Sequence, residues 1–495
     1  MTHASSASVS ASVGPPEPPA NGAAPTPDGL PVPQRYWAMA TILLGIAVAV
    51  LDGTLITLAL PRIASEFKAS PASAIWIVNA YQLAVLVSLL PCAALGDRYG
   101  YRRVYLGGVA VMLVASVGAM QAPSMAALIA WRALQGLGAS GIMGVNAALV
   151  RLTYPRAQLG RGLALNSVTV AVASVAGPTL AAVVLSHASW PWLFAINLPL
   201  GVGLILLGWR ALPSHRSATP VNLRVGDVLL NAAMFSLVFL GVEQLGTRAG
   251  AGGLGAHDIA WAVGFLLAGA AVGAVFVRAQ LRRAVPLLPV DLFRIPVFAL
   301  SMCTSVTAFA AQTLGQIAMP FLLLVNQGRS PAETGLLMTA WPLGSIAMAP
   351  IAGRLTGRYN AGVLSAMGLA LMCIGLAALA LLPATPTQID IAWRLVLCGA
   401  GFALFQTPNN FTIVTSAPAA RSGGASGMLG TARLTGQSTG AVLLAIVFSA
   451  LPGQAGPAMA LGLGAACALV AGGFSLLRRR GIQAGSAPVS GAGSP

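Results

Sequence analysis

The chain has 495 residues, 57% hydrophobic and 8% charged, with a mean hydropathy of +0.81, too apolar for a soluble protein of that length. Its net charge of +16 would suit a nucleic acid only if the basic residues formed one face of a soluble domain, and no segment here can form one. The reading is an all-α polytopic membrane protein with no nucleic-acid partner.

Residues 1–36, rich in Ala, Ser and Pro and without the apolar core of a signal peptide, read as a disordered tail that stays attached. Runs of about 20 apolar residues then predict spans near 38–60, 74–96, 104–122, 125–148, 161–186, 192–211, 226–246, 258–278, 298–325, 332–355, 361–382, 389–413, 424–450 and 456–477, which makes fourteen. Under this map 20 of the 27 Lys and Arg fall on one side, 4 on the other, and 3 (Arg132, Arg394 and Arg433) inside spans. Such a bias puts both termini in the cytoplasm.

Ile129-Ala130-Trp131-Arg132 in the fourth span recurs as Ile391-Ala392-Trp393-Arg394 in the twelfth, and Leu95-Gly96-Asp97-Arg98-Tyr99 has a weaker counterpart in Leu355-Thr356-Gly357-Arg358-Tyr359. The spacing predicts two six-helix bundles, 37–211 and 286–480, separated by a linker at 212–285 with two inserted spans and followed by a disordered tail at 481–495. Parallel repeats of this kind build transporters whose halves rock about a site between them.

Asp52 falls inside the first span. An intramembrane carboxylate is costly and points to function, with a proton or cation as its partner. Asp52 lies about 14 residues from the cytoplasmic start of its helix, ~21 Å at 1.5 Å per residue. Arg132 comes out ~20 Å above the same edge of a ~30 Å core, so the two charges are expected at similar depth, where an approaching arginine would tune the acid.

The turn after the second span, Pro91-Cys92-Ala93-Ala94-Leu95-Gly96-Asp97-Arg98-Tyr99-Gly100-Tyr101-Arg102-Arg103, resembles the signature loop of the major facilitator superfamily, with Ala93 replacing a glycine and Tyr101 a basic residue. Here Asp97, Arg98, Gly100 and Arg102 are read as a cytoplasmic gate, Asp97 accepting from backbone N–H groups of a neighbouring helix or pairing with arginine. Arg132-Ala133-Leu134-Gln135-Gly136-Leu137-Gly138 is similar to the fourth-helix signature of that superfamily, and Gly177-Pro178 to its antiporter motif, a helix kink among small residues. Leu51-Asp52-Gly53-Thr54 through Ala59-Leu60-Pro61, Trp190-Pro191-Trp192 through Asn197-Leu198-Pro199-Leu200-Gly201, and Ala425-Ser426-Gly427-Met428 with Arg433 resemble segments of the fourteen-helix drug:proton antiporters.

That resemblance implies a major facilitator fold with 14 transmembrane helices (6 + 2 + 6) in the bacterial inner membrane. It implies export of lipophilic or cationic drugs against protons, through Asp52 and Arg132, by alternating access. A proton-coupled exporter of an endogenous metabolite such as an antibiotic, siderophore or amino acid is the alternative. Partners would be a small molecule, protons and the bilayer, with a monomer expected and no cofactor beyond the proton gradient. Candidates for the substrate path are Asn79, Gln82, Gln312, Gln316, Gln406, Asn409, Asn410 and Arg433, the two glutamines four apart sharing a helix face. The cysteines (Cys92, Cys303, Cys373, Cys398 and Cys467) lack metal or C-x-x-C spacing. No G-x-x-x-x-G-K-[ST] occurs, and no constellation suggests an enzyme.

Overall fold

A computed structural model describes residues 29–69, 71–215, 223–249, 256–283, 286–383, 385–418, 421–451 and 455–484. The predicted tails fall largely outside these, although the first helix already begins at Gln34 and the last runs to Ala484. The described residues form α-helices with short 3-10 and π turns and no strand.

The first predicted span is broken. Helix α1 (Gln34–Leu55) passes through a 3-10 turn (Ile56–Ala59) into α2 (Leu60–Glu66), because Pro61 donates no backbone N–H and is suited only to the first turn of a new helix. Then come α3 (Pro71–Tyr99), α4 (Tyr101–Met120), α5 (Met125–Thr153) and α6 (Leu159–His187). Gly100, at φ +100°, turns the chain between α3 and α4 in a conformation that side chains resist. The sixth predicted span is divided into α7 (Trp192–Ala195) and α8 (Asn197–Ala211).

Helices α9 (Val225–Ala249) and α10 (Ala256–Leu281) pack on each other, and Asn231 on α9 donates to the carbonyl of Val87 on α3 at 2.7 Å. The second half comprises α11 (Pro296–Phe321), α12 (Pro331–Met338), α13 (Ala340–Leu355), α14 (Ala361–Ala380), α15 (Gln388–Ser416), α16 (Ser422–Ala450) and α17 (Ala455–Ala484). Among the described residues 11 helical stretches are long and apolar enough to cross a membrane. The count predicted from sequence is higher, and its other three runs coincide with α6, α9 and α16.

The repeat seen in the sequence has a packing counterpart. Helix α5 packs against both α3 and α4, as α15 packs against both α13 and α14. In each case a glycine permits the approach: a side chain at Gly136 would strike the carbonyl of Tyr81, and one at Gly399 the carbonyl of Trp341. Small residues set such helix contacts where no hydrophobic drive exists between helices. In the second half, buried Arg478 on α17 donates to Ser301 Oγ at 2.9 Å and Asn409 Oδ1 at 2.8 Å, joining α17 to α11 and α15. The end of the bundle where α1 begins and α3, α5 and α17 finish carries most of the arginines and is called the basic end below.

Candidate functional site

Asp52 lies near the end of α1, 3% exposed, and its Oδ2 meets Arg132 Nη1 of α5 at 2.6 Å, with Arg132 fully buried. The pair expected from depth alone is therefore in contact. Three further donations hold the same arginine: to Gln135 Oε1 at 2.8 Å, to the Ile77 carbonyl at 3.2 Å and to the Asp52 carbonyl at 3.3 Å. Asn197 at the start of α8 donates to Asp52 Oδ1 at 2.6 Å, Gln135 Nε2 donates to the same oxygen at 3.3 Å, and both amides donate to Ser116 Oγ of α4, at 3.1 and 2.8 Å. Both carboxylate oxygens are thus hydrogen-bonded, Oδ1 twice and Oδ2 by the guanidinium, which is how a buried ion pair becomes tolerable in a low-dielectric interior. Asn197, Gln135 and Ser116 were not singled out from sequence. Asn197 and Gln135 stood inside the quoted motifs, and an amide in an apolar run was the available signal.

The Arg132 guanidinium also stacks on the Tyr81 ring, 4.4 Å from its centroid, an arrangement worth about 2 kcal/mol when desolvated. Tyr81 donates its hydroxyl proton to the Ala49 carbonyl at 2.7 Å. It forms part of the wall of a cavity of about 400 Å³ between the two halves, to which α1 contributes Gly53 and Thr54, the residues following Asp52.

Of the expected substrate-path residues, Gln82, Gln312, Gln316, Gln406 and Arg433 border this cavity, and Asn410 borders a smaller one of about 90 Å³ that shares Gln406 and Arg433 with it. Two lie elsewhere. Asn79 donates to Glu243 Oε1 at 3.0 Å, tying α3 to α9, and Asn409 belongs to the Arg478 cluster, donating to Ser305 Oγ at 2.7 Å. Among small and aliphatic side chains the lining also includes three aromatic rings, Phe309 and Phe402, edge to face at 5.4 Å, and Trp341.

At the basic end the halves meet. Asp97 Oδ1, buried at the end of α3, accepts from Tyr101 Oη at 2.6 Å and from the backbone N–H of Gly423, in the first turn of α16, at 3.1 Å. Tyr101, which stands where the superfamily pattern has a basic residue, thereby supplies a donor of its own. A side chain on Gly423 would come within 2.6 Å of the Asp97 carboxyl carbon. Arg151 of α5 donates to the carbonyls of Val414 and Ala417, at 2.7 and 3.2 Å, satisfying the end of α15 from the opposite half. Arg98 and Arg102, expected from sequence in the same gate, are not among these contacts: their guanidinium groups lie over the rings of Tyr99 and Trp209, 5.4 and 5.5 Å away.

Gly177 of α6 packs directly on α1, where an added Cβ would lie 2.9 Å from Thr54 Cβ. Pro178 follows it within the helix, and its side chain lies outside the described residues. The repeat partner of Arg132 behaves differently: Arg394 pairs with Asp390 one turn away at 3.0 Å and donates to the Ala378 carbonyl at 2.8 Å. The charge site is asymmetric although the backbone is repeated.

The sequence model of the Major Facilitator Superfamily matches residues 42–441 and 300–491. The chain is 49% identical over 452 residues to "Uncharacterized transporter YebQ" of Escherichia coli (strain K12), covering 91% of this chain and 97% of that one. It is 31% identical over 427 residues to the "Tetracenomycin C resistance and export protein" of Streptomyces glaucescens, covering 86% and 78%. The crystal structure of the human organic anion transporter MFSD10 (TETRAN) superposes with a TM-score of 0.65 at 15% identity over 90% of this chain and 100% of that one, a likeness of fold alone. On the match that runs through nearly all of the described helices, the chain belongs to the Major Facilitator Superfamily and is a membrane transport protein, not an enzyme.

Proposed function

We propose that this protein is a proton-coupled antiporter of the bacterial inner membrane that exports a lipophilic small molecule by alternating access, with fourteen spans and both termini in the cytoplasm. The observation that carries the reading is the Asp52–Arg132 pair, sealed from solvent yet next in sequence to the residues that border a cavity between the halves. A proton bound by Asp52 would cancel its charge and free Arg132, removing the attraction that holds α1 to α5 at that depth. Tyr81 touches both the arginine and the cavity, so occupancy of the cavity and the state of Asp52 can oppose one another. The Asp97–Gly423 contact would release when the cytoplasmic side opens.

The relative named for tetracenomycin C resistance and export supports outward transport; export of an endogenous metabolite is the second reading. The test is a panel of cationic, neutral and anionic aromatic compounds added to everted vesicles under an imposed pH gradient. Antiport predicts proton efflux from the vesicle lumen on addition of a substrate, lost in Asp52→Asn. Uptake that ignores the gradient would refute proton coupling.

A further inference from the structure

We infer that the central cavity selects an aromatic ligand carrying an anionic group, most simply a carboxylate, which docks on Arg433. This rests on the transport reading above and narrows its substrate class. Arg433 lies well inside α16 and borders both cavities, its Nε is buried without a hydrogen-bond partner, and no described acid reaches its guanidinium. A guanidinium keeps its proton under all ordinary conditions, and at membrane depth an uncompensated one is costly.

Two acids within the helices are committed elsewhere, Asp52 to Arg132 and Glu243 to Asn79. Among the described residues, neither cavity is bordered by an Asp or Glu. Tyr81 is no counter-ion, since its hydroxyl donates to the Ala49 carbonyl. A second donor, Trp341 Nε1, on a residue that also lines the larger cavity, is buried without a partner among the described residues. The site therefore presents one fixed cation and donors between aromatic walls formed by Phe309 and Phe402. Such a site complements a flat apolar body with a negative end, since a carboxylate can take a two-pronged bond from a guanidinium. A cationic ligand would meet Arg433 with no carboxylate to offset the repulsion.

Titration of the full-length protein in lipid nanodiscs, without any pH gradient and with empty nanodiscs subtracted, decides this. Three probes share one ring: 2-naphthoate, 2-naphthamide and naphthylmethyl-trimethylammonium. The expected result is at least tenfold tighter binding of naphthoate than of the ammonium probe. Arg433→Gln should erase that preference and Arg433→Lys should retain most of it. Equal affinity, tighter binding of the ammonium probe, no binding of naphthoate to the native protein, or an unchanged preference in Arg433→Gln would each overturn the inference. Because no gradient is applied, such a failure would leave gradient-driven transport in vesicles standing, and the two claims fail separately.

Discussion

The guanidinium of Arg132 rests on the ring of Tyr81, and the same ring borders the cavity between the halves. One aromatic side chain thus separates a buried ion pair from the space where a ligand would sit. Replacing it tests whether the two communicate. Tyr81→Phe keeps the ring and loses only the bond to Ala49, and is expected to keep pH-gradient-driven transport within about threefold. Tyr81→Ala removes the stacking, worth about 2 kcal/mol, and is expected to reduce coupled transport at least tenfold, read from proton movement per substrate moved in vesicles.

Asp52→Asn leaves the Arg132 charge without its acid but retains the shape of the side chain and an oxygen that can still accept from the guanidinium, so the protein should still fold into the membrane at reduced stability. Gradient-driven transport should fall at least tenfold and lose its dependence on pH. Arg132→Leu is expected to be harsher on folding, because it strands a buried carboxylate. Breaking such a pair costs about 3–5 kcal/mol, and a thermal-unfolding assay in detergent should show a clear drop in midpoint. A native midpoint for Arg132→Leu would mean that the pair does not hold α1 against α5.

Gly177→Ala should push α6 away from α1 through Thr54. Transport is expected to fall several-fold, and Thr54→Ala in the same chain should restore it by making room. Lack of rescue would show that the glycine serves something other than close approach.

Gly423→Ala forces a methyl group against Asp97 and should loosen the basic end. A cysteine introduced as Ser167→Cys, at the border of the cavity, in a background with the native cysteines replaced, should react several-fold faster with a membrane-impermeant maleimide in everted vesicles when Gly423→Ala is present. An unchanged rate would remove this contact from the gate.

The expense of charge in an apolar run made Asp52 and Arg132 legible, and a simple rise per residue put them at matching depth. Gln312 and Gln316, on one helix face, both reached the cavity, as that spacing suggests. The amides Asn79 and Asn409 could not be sorted in this way. Whether a polar side chain in a span points to a cavity or to the next helix depends on the rotation of that helix about its axis, and uniformly apolar neighbours leave the rotation unmarked. The same uncertainty hid Ser116, whose partners come from α5 and α8. Arg394 shows the limit of the repeat: an identical tetrapeptide places it like Arg132, but with Asp390 within a turn it is neutralised locally. The breaks at Ile56 and Ile196 were also unread, since hydropathy measures how greasy a run is and not whether its backbone ladder is continuous.

Helix α16 opens at the Asp97 contact and carries Arg433 to the cavity about ten residues later, a separation of ~15 Å along its axis. Over that length a helix acts as a stiff strut, so its two extremities cannot shift independently. A ligand drawing on the arginine would load the far end of the same beam, and the force that unfastens the seam at the basic end can arise from capture of the cargo itself.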